Sequence, residues 1–445
     1  MAVLPVAGGE GAERRDVAVR GGSNQKRALI TPCDAQVEEE IAPLEFVRPL
    51  SELCLRAAAL HFRHRPTFAG VPEKFKDRLA ALIPTDLPLN VSAPLIDSEI
   101  YWKRCAADLF QTVVPADHGN SWKQLFFEKT VEEALENFDG SEQAHTALSR
   151  LLKTSSELVY KLKIRQFASH ADIAFLFDVL PNLYSLCITY GSRNVGMKYE
   201  RSIFGMKLAD AENLSQQLPR TETLTHLALN ENVLDDEKVR RLVVGLRDNL
   251  TITDLDLSHN KISDRGTRAL CKCLGKDSVI ASLALCDNHI HSEGGKFLGR
   301  ALQTNASLLT LNMRLNRLGE KGGCYIFEGL KSNAALKQLN ISGNGLADDS
   351  GQGEAVRVLA ALLRVNTSLR ALDISSNSLG AEGGVVMRDA LEENKAIQVL
   401  DCRVNKIAPE VATSIRDIVR RNEAPAAAAR SAAKTSIKTA TRPER

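Results

Sequence analysis

In the second half of the chain, apolar and polar residues alternate in short bursts, then switch to helical spacing, and the switch recurs at a nearly fixed interval. Each burst follows the phrase L-x-x-L-x-L-x-x-N-x-I/L. It reads LTHLALNENVL at 224–234, ITDLDLSHNKI at 252–262, IASLALCDNHI at 280–290, LLTLNMRLNRL at 308–318, LKQLNISGNGL at 336–346, LRALDISSNSL at 369–379 and IQVLDCRVNKI at 397–407. Leu255 and Leu257 alternate with Asp254, Asp256 and Ser258, the period of a half-buried strand with its apolar pair inward. After each burst, apolar residues return at helical spacing, as in RGTRALCKCL (265–274), GGKFLGRAL (294–302), GGCYIFEGL (322–330) and GGVVMRDAL (383–391). The pattern predicts one strand and one helix per repeat. Such a unit cannot bury its own apolar face, whereas a stack of them can.

The asparagine of the phrase marks the end of each strand. Asn232, Asn260, Asn288, Asn316 and Asn344 are 28 apart; Asn377 follows after 33 and Asn405 after another 28. An amide side chain has both donor and acceptor to offer turn backbone that the next coil leaves unpaired. Stacked along the solenoid, the seven are expected to form a structural ladder. Gly266, Gly294, Gly322 and Gly383 each lie six residues after their asparagine, where a missing side chain lets the helix start approach the neighbouring coil.

These residues resemble the ribonuclease-inhibitor type of leucine-rich repeat. The resemblance implies an α/β solenoid, a curved parallel sheet with outer helices. Strands about 4.8 Å apart make the concave face of the seven repeats on the order of 30 Å long. A degenerate eighth copy is expected at LYSLCITYG (183–191), followed by an insertion at 192–218; a second insertion lies near 348–353.

The chain divides into a mostly disordered extension (1–44), a mainly helical N-terminal domain (45–150), the solenoid with its lead-in (151–421, regular from 224) and a disordered, Ala-rich basic tail (422–445). The side chains of 424–445 sum to +4, on a chain whose net charge is +2. No run of 18 apolar residues suggests a membrane span. The start lacks the basic and apolar regions of a signal peptide. Nine scattered cysteines without C-x-x-C spacing are read as reduced thiols, and the N-x-S triplets at Asn305 and Asn366 as by-products of the repeat.

The N-terminal domain carries LSELCLRAAALHF (50–62), with Leu53, Leu55, Ala59 and Leu60 expected on one buried face. SWKQLFFEKTVEEALENF (121–138) is expected to bury Trp122, Leu125, Phe126, Val131, Leu135 and Phe138. LPLNVSAPLI (87–96) reads as an extended link. Trp102 and Trp122 are expected to be core anchors. The run L-P-L-x-V-S, Y-W-K-R-C-A-x-D-L-F and S-W-K-Q-L-F-F-E-K, joined to such repeats, resembles the leucine-rich-repeat subunits of the nexin–dynein regulatory complex of motile cilia. That resemblance implies a non-catalytic docking subunit in the cytoskeleton of the axoneme. Its partners would be other subunits of the complex, with axonemal dynein and, through the basic tail, tubulin as further candidates. The same run also resembles the segment after an F-box in ubiquitin-ligase adaptors, although Ile83–Leu87 copies the F-box core poorly and no suitable helix is expected after it.

Candidate contact residues follow from the strand positions that point away from the helices. They are Asp256, Asn312, Asn340, Asp373 and Asp401 in one row, and Ser258, Arg314 and Arg403 one step further along. This mixed, mildly acidic face suits a basic protein partner; solvated strand positions are the plainer account. The repeats also resemble those of the Ran GTPase-activating protein, whose acidic C-terminal region has no counterpart in this basic tail. No G-x-x-x-x-G-K-S/T phosphate cradle occurs, Gly275-Lys276 and Gly295-Lys296 being isolated pairs. His259, Cys286, His289 and His291 match no zinc-finger spacing, and Cys271 and Cys273 point to different sides of a helix. No catalytic group, cofactor, metal, nucleic acid or membrane is expected.

Overall fold

The computed structural model describes residues 49–111, 114–168, 172–191, 204–347 and 353–440, with side chains described up to residue 424 in the last stretch. The expected disordered extension (1–44) lies outside these residues, as do 192–203 and 348–352 of the two insertions. Residues 51–445 form one compact unit.

Six helices come first: α1 (Leu50–His61), α2 (Glu73–Ala80), α3 (Leu89–Leu95), α4 (Glu99–Leu109), α5 (Trp122–Glu136) and α6 (Glu142–Ser155). Helix α3 occupies the segment expected to be extended. Pro88 opens it with φ −57°, and its Ser92 and Ala93 are buried, so packing overrides the proline signals of the sequence. Helix α1 buries Leu55 and Ala59, with Phe62 just beyond it. Leu53 and Leu60 instead remain 45% and 77% exposed, because they lie on the other stripe of the helix.

Nine parallel strands follow in strict chain order: β1 (Lys161–Phe167), β2 (Ser185–Tyr190), β3 (His226–Ala228), β4 (Asp254–Asp256), β5 (Ser282–Ala284), β6 (Thr310–Asn312), β7 (Gln338–Asn340), β8 (Ala371–Asp373) and β9 (Val399–Asp401). Leu227, Leu255, Leu283, Leu311, Leu339, Leu372 and Leu400 are in register across the sheet. The expected degenerate copy is β2. Strand β1 precedes it, its Leu162 and Ile164 buried between Lys161, Lys163 and Arg165. Helices link the strands: α7 (Ile173–Val179), α8 (Leu208–Gln217), α9 (Asp236–Asp248), α10 (Asp264–Leu270), α11 (Ser292–Thr304), α12 (Gly319–Lys331), α13 (Glu354–Val365) and α14 (Gly380–Glu393); α15 (Pro409–Ala440) follows β9. The result is a leucine-rich-repeat solenoid preceded by a mainly helical region.

Glycine sets how closely the helices stack. A Cβ on Gly299 of α11 would stand 2.2 Å from the Tyr325 carbonyl oxygen of α12, and one on Gly329 would stand 2.2 Å from the Gly299 carbonyl oxygen. At the helix starts, Asp236 Oδ1 accepts from Ser263 N and Gly266 N, and Asp264 Oδ1 accepts from His291 N and Gly294 N. A Cβ on Gly266 or Gly294 would collide with that carboxylate.

A second row of asparagines runs where the helices end. Asn305, Asn333, Asn366 and Asn394 each accept from the backbone two and three residues on, and donate to the preceding coil. Thus Asn333 Nδ2 donates to Leu302 O (2.7 Å) and Asn305 O (3.0 Å). Asn249 makes the same turn, with Nδ2 donating to Leu218 O. The N-x-S triplets at Asn305 and Asn366 are parts of this row. Between Asn249 and Asn305, at the 28-residue step, stands an exposed Asp277.

Helix α15 continues through residues 422–440, where disorder was expected. Its Ala-rich run explains the difference, since alanine is the best helix former.

Candidate protein-binding face and the ladders that fix it

The seven phrase asparagines lie inside. Asn260 Nδ2 donates to Leu229 O (2.9 Å), Leu257 O (2.9 Å) and Ser258 O (3.1 Å), while its Oδ1 accepts from Asn232 N (3.1 Å) and Leu234 N (2.9 Å). Asn288, Asn316, Asn344, Asn377 and Asn405 repeat the arrangement. Asn232 donates to Ile188 O and accepts from Tyr190 N. All seven are buried and hold coil to coil, so they offer nothing to a partner.

The residue before each asparagine adopts a left-handed backbone: Glu231, His259, Asp287, Leu315, Gly343, Ser376 and Val404 have φ between 51° and 65°. The conformation is costly for a non-glycine residue. It aims that residue's N–H at the next coil, as in His259 N to Cys286 O (2.8 Å) and Leu315 N to Ser342 O (2.8 Å).

The outer row is half-buried and partly committed. Asp256, Asn312, Asn340, Asp373 and Asp401 each accept, through Oδ1, from the backbone N–H two residues on. Asn340 Nδ2 also reaches Asp373 Oδ2 at 2.9 Å. Ser258, expected to face outward, is buried, and its Oγ accepts from Cys286 N. Arg314 and Arg403 are exposed. The Arg403 guanidinium bonds both oxygens of Asp401 and holds that carboxyl below its usual range.

Strand β1 adds what the repeat phrase did not reveal. Lys161 is in register with Ser185, His226 and Asp254, and Lys163 with Cys187, Ala228 and Asp256. The sheet face therefore begins basic, at Lys161, Lys163 and Arg165, and becomes acidic at Asp254 and Asp256. His226 Nδ1 sits 2.9 Å from Asp254 Oδ2 at the change of sign. Alternation in KLKIRQF was the available signal; it lacks the terminal asparagine.

The β1 edge is closed by α5. Glu128 Oε1 accepts from Tyr160 N and Lys161 N (both 2.9 Å), Glu132 Oε1 from Lys163 N (2.6 Å) and Glu136 Oε1 from Arg165 N (2.6 Å). Carboxylates one helical turn apart meet strand N–H groups two residues apart. His118 Nδ1 bonds the other oxygen of Glu128, and Gln124 Nε2 donates to the same Oε1 (2.9 Å). Of the expected anchors, Trp102 is fully buried, with Nε1 donating to Ile96 O (2.8 Å). Trp122 is half-buried under the Lys103 ammonium.

Chemistry-bearing groups are dispersed. Among the described residues no group of three or more His, Cys, Asp or Glu side chains could hold a metal ion, His259, Cys286, His289 and His291 included. Burial pushes the thiols of Cys271 and Cys273 up to about 12. Among the described residues no helix is long and apolar enough to cross a membrane.

Residues 248–271 and 365–387 match the family model described as Leucine Rich repeat. Over 201 residues the chain is 42% identical to "Dynein regulatory complex subunit 5" of Chlamydomonas reinhardtii, covering 45% of this chain and 52% of that protein. Over 244 residues it is 30% identical to the protein of that name from Mus musculus, covering 48% of each. The chain thus spans about half the length of the curated relatives it matches. A solved structure of leiomodin-1 actin-binding site 2 overlaps 39% of this chain and 96% of that one, at 15% identity and a TM-score of 0.34. The curated relatives support the resemblance to regulatory-complex subunits, and the family model supports the repeats.

Proposed function

We propose that this chain is a non-catalytic docking subunit of the dynein regulatory complex of motile cilia, working at the axoneme. The observation that carries the proposal is its 42% identity over 201 residues to a protein named for that complex. The physical design agrees. Two rows of buried asparagines fix the coils, leaving the helix-free face of the sheet as a preformed surface. Rigid scaffolds of this kind bind through exposed strand and loop residues.

Partners of that face are other subunits of the complex. Arg314, Asp373 and the Asp401–Arg403 pair contact them at one end, Lys161, Lys163 and Arg165 at the other. A basic start at β1 that gives way to acidic Asp254 and Asp256 favours a partner segment held in one direction. The basic run after residue 424 is a second contact, to acidic tubulin or dynein surfaces.

The test is a tagged pull-down from motile cilia after high-salt extraction, read by mass spectrometry. Recovery of the other regulatory-complex subunits in near-equal amounts supports the proposal. Absence from cilia, or recovery of Skp1 and cullin, overturns it in favour of a ubiquitin-ligase adaptor. One observation keeps the adaptor in view: helix α3 follows Ile83–Leu87, where an extended link was expected.

A further inference from the structure

The two ends of the sheet are built differently. At β1 the outward N–H groups are taken by Glu128, Glu132 and Glu136. At β9 no such cover exists among the described residues. In the coil before it, Ile374 N donates to Asp401 O (2.9 Å), Ser376 N to Arg403 O (3.0 Å), and Asn377 N and Leu379 N to Asn405 Oδ1 (2.7 and 3.4 Å). The equivalent donors of the last coil are the N–H groups of Cys402, Val404, Asn405 and Ile407. Among the described residues none of them meets an acceptor. Leu400, Cys402 and Ile407 are only partly buried at this end, and Val399 and Val404 are 59% and 79% exposed.

Among the described residues no strand closes this edge. Earlier helices stop at Asn305, Asn366 and Asn394, which turn the backbone into the next strand. Asn422 holds the corresponding place and still donates to Asn394 O (2.8 Å), yet α15 runs on through it to Ala440. The helix is carried about 27 Å past the turning point, so the residues up to Ala440 supply no tenth strand.

We infer that the β9 edge docks an extended segment of a partner protein. The segment runs parallel to β9, its carbonyls meeting Cys402 N and Val404 N. A side-chain amide at its end meets Asn405 N and Ile407 N, as Asn405 itself does for the coil before. The occupant is specified by the hydrogen-bond pattern that six successive coils already use. An extended strand added to an open edge is an established mode of peptide recognition. This surface is distinct from the sheet face proposed above, and either can fail without the other.

The test uses the full chain and hydrogen exchange resolved to single amides. The probe is a synthetic peptide of this chain's own residues 367–380, TSLRALDISSNSLG, with a control in which the Asn377 position is Leu. In the free protein, the amides of Cys402, Val404, Asn405 and Ile407 should exchange at least roughly tenfold faster than those of Ile374, Ser376, Asn377 and Leu379. The asparagine peptide at millimolar concentration should slow them roughly tenfold, and the leucine control should not. Val404→Lys, at an exposed position, should keep the melting temperature and weaken the protection. Three outcomes overturn the proposal. The edge amides are already slow in the dilute monomer, so another part of the chain covers them. They slow only with concentration and a doubled mass, so a second copy is the occupant. Or millimolar peptide leaves them unchanged.

Discussion

Glu132 of α5 accepts a hydrogen bond at 2.6 Å from the backbone N–H of Lys163 in β1, while Lys129 bonds its other oxygen. One helix side chain thereby closes a place where a sheet edge would stand open, a recognised hazard for β proteins. Glu132→Ala should destabilise the fold by about 1–3 kcal/mol, since it leaves a partly buried donor unpaired. Glu132→Gln keeps an acceptor and should cost less than half of that. Urea unfolding supplies the stabilities, and hydrogen exchange at Lys163 supplies the local readout. Unchanged exchange in the alanine variant would remove the edge-closing role.

The inner asparagines should reject their closest isostere. Asn377 Nδ2 donates to Ile341 O, Ile374 O and Ser375 O, and its Oδ1 accepts from Asn344 N. Asn377→Ala should cost about 2–4 kcal/mol for the unpaired groups. Asn377→Asp should cost more, because a buried carboxylate would face three carbonyl oxygens. Thermal melts of both variants decide this; an aspartate variant as stable as the alanine one would mean that the donor side of the ladder is unimportant.

Leu339 lies 2% exposed, in register with Leu311 and Leu372. Leu339→Asp places an unpaired charge in the stacked core and should unfold the solenoid cooperatively. Circular dichroism and limited proteolysis would follow it. Loss of one local contact with the other coils intact would contradict it.

Helix spacing should be equally intolerant at Gly299. Its Cβ would stand 2.2 Å from the Tyr325 carbonyl oxygen, a backbone atom that cannot step aside. Gly299→Ala should therefore cost at least about 2 kcal/mol through forced separation of α11 and α12. A Cβ on Gly275 meets nothing within 4 Å, so Gly275→Ala should be close to neutral in the same denaturant titration.

The repeat phrase made the regular coils legible because its two periods, two and then about 3.6, are set by strand and helix geometry and survive in any one sequence. The inner ladder was readable for the same reason. The second asparagine row was missed because Asn305 and Asn366 look like turn residues when taken singly; only the 28- and 33-residue steps through Asn333 and Asn394 give them away. Helix α3 was misread because Pro88 and Pro94 signal a break, whereas burial of Ser92 and Ala93 decides the outcome. The closure of β1 by Glu128, Glu132 and Glu136 was illegible, since nothing local to α5 tells a solvated carboxylate from one facing a strand some 30 residues on. Half of the candidate face was visible as outward strand positions. The hidden part was that Asp256, Asn312 and Asn340 each give one oxygen to their own backbone, so fewer of their lone pairs are free for a partner.

The thiols offer a check on packing. Burial raises Cys271 and Cys273 to about 12 and Cys105 to about 11, and the thiolate is the reactive form. At pH 8 an alkylating reagent should modify exposed Cys54 while these three stay unmodified until the chain is denatured, as peptide mass mapping would record. Modification of Cys273 at the rate of Cys54 would mean that the α10 region opens readily.

The exposed Asp277 gains a meaning from the row it interrupts. Wherever the asparagines of the helix-end row stand in sequence, each clamps the rim of its coil to the coil before, as Asn333 does to Asn305, Asn366 to Asn333 and Asn394 to Asn366. A slab clamped along both rims resists flexing; one missing clamp makes a crease. The crease falls beside α10, the shortest helix of the regular repeats, so the slab's compliance is concentrated there. Under sideways load the stack would behave as two stiff plates with a soft fold between them, not as one evenly springy strip.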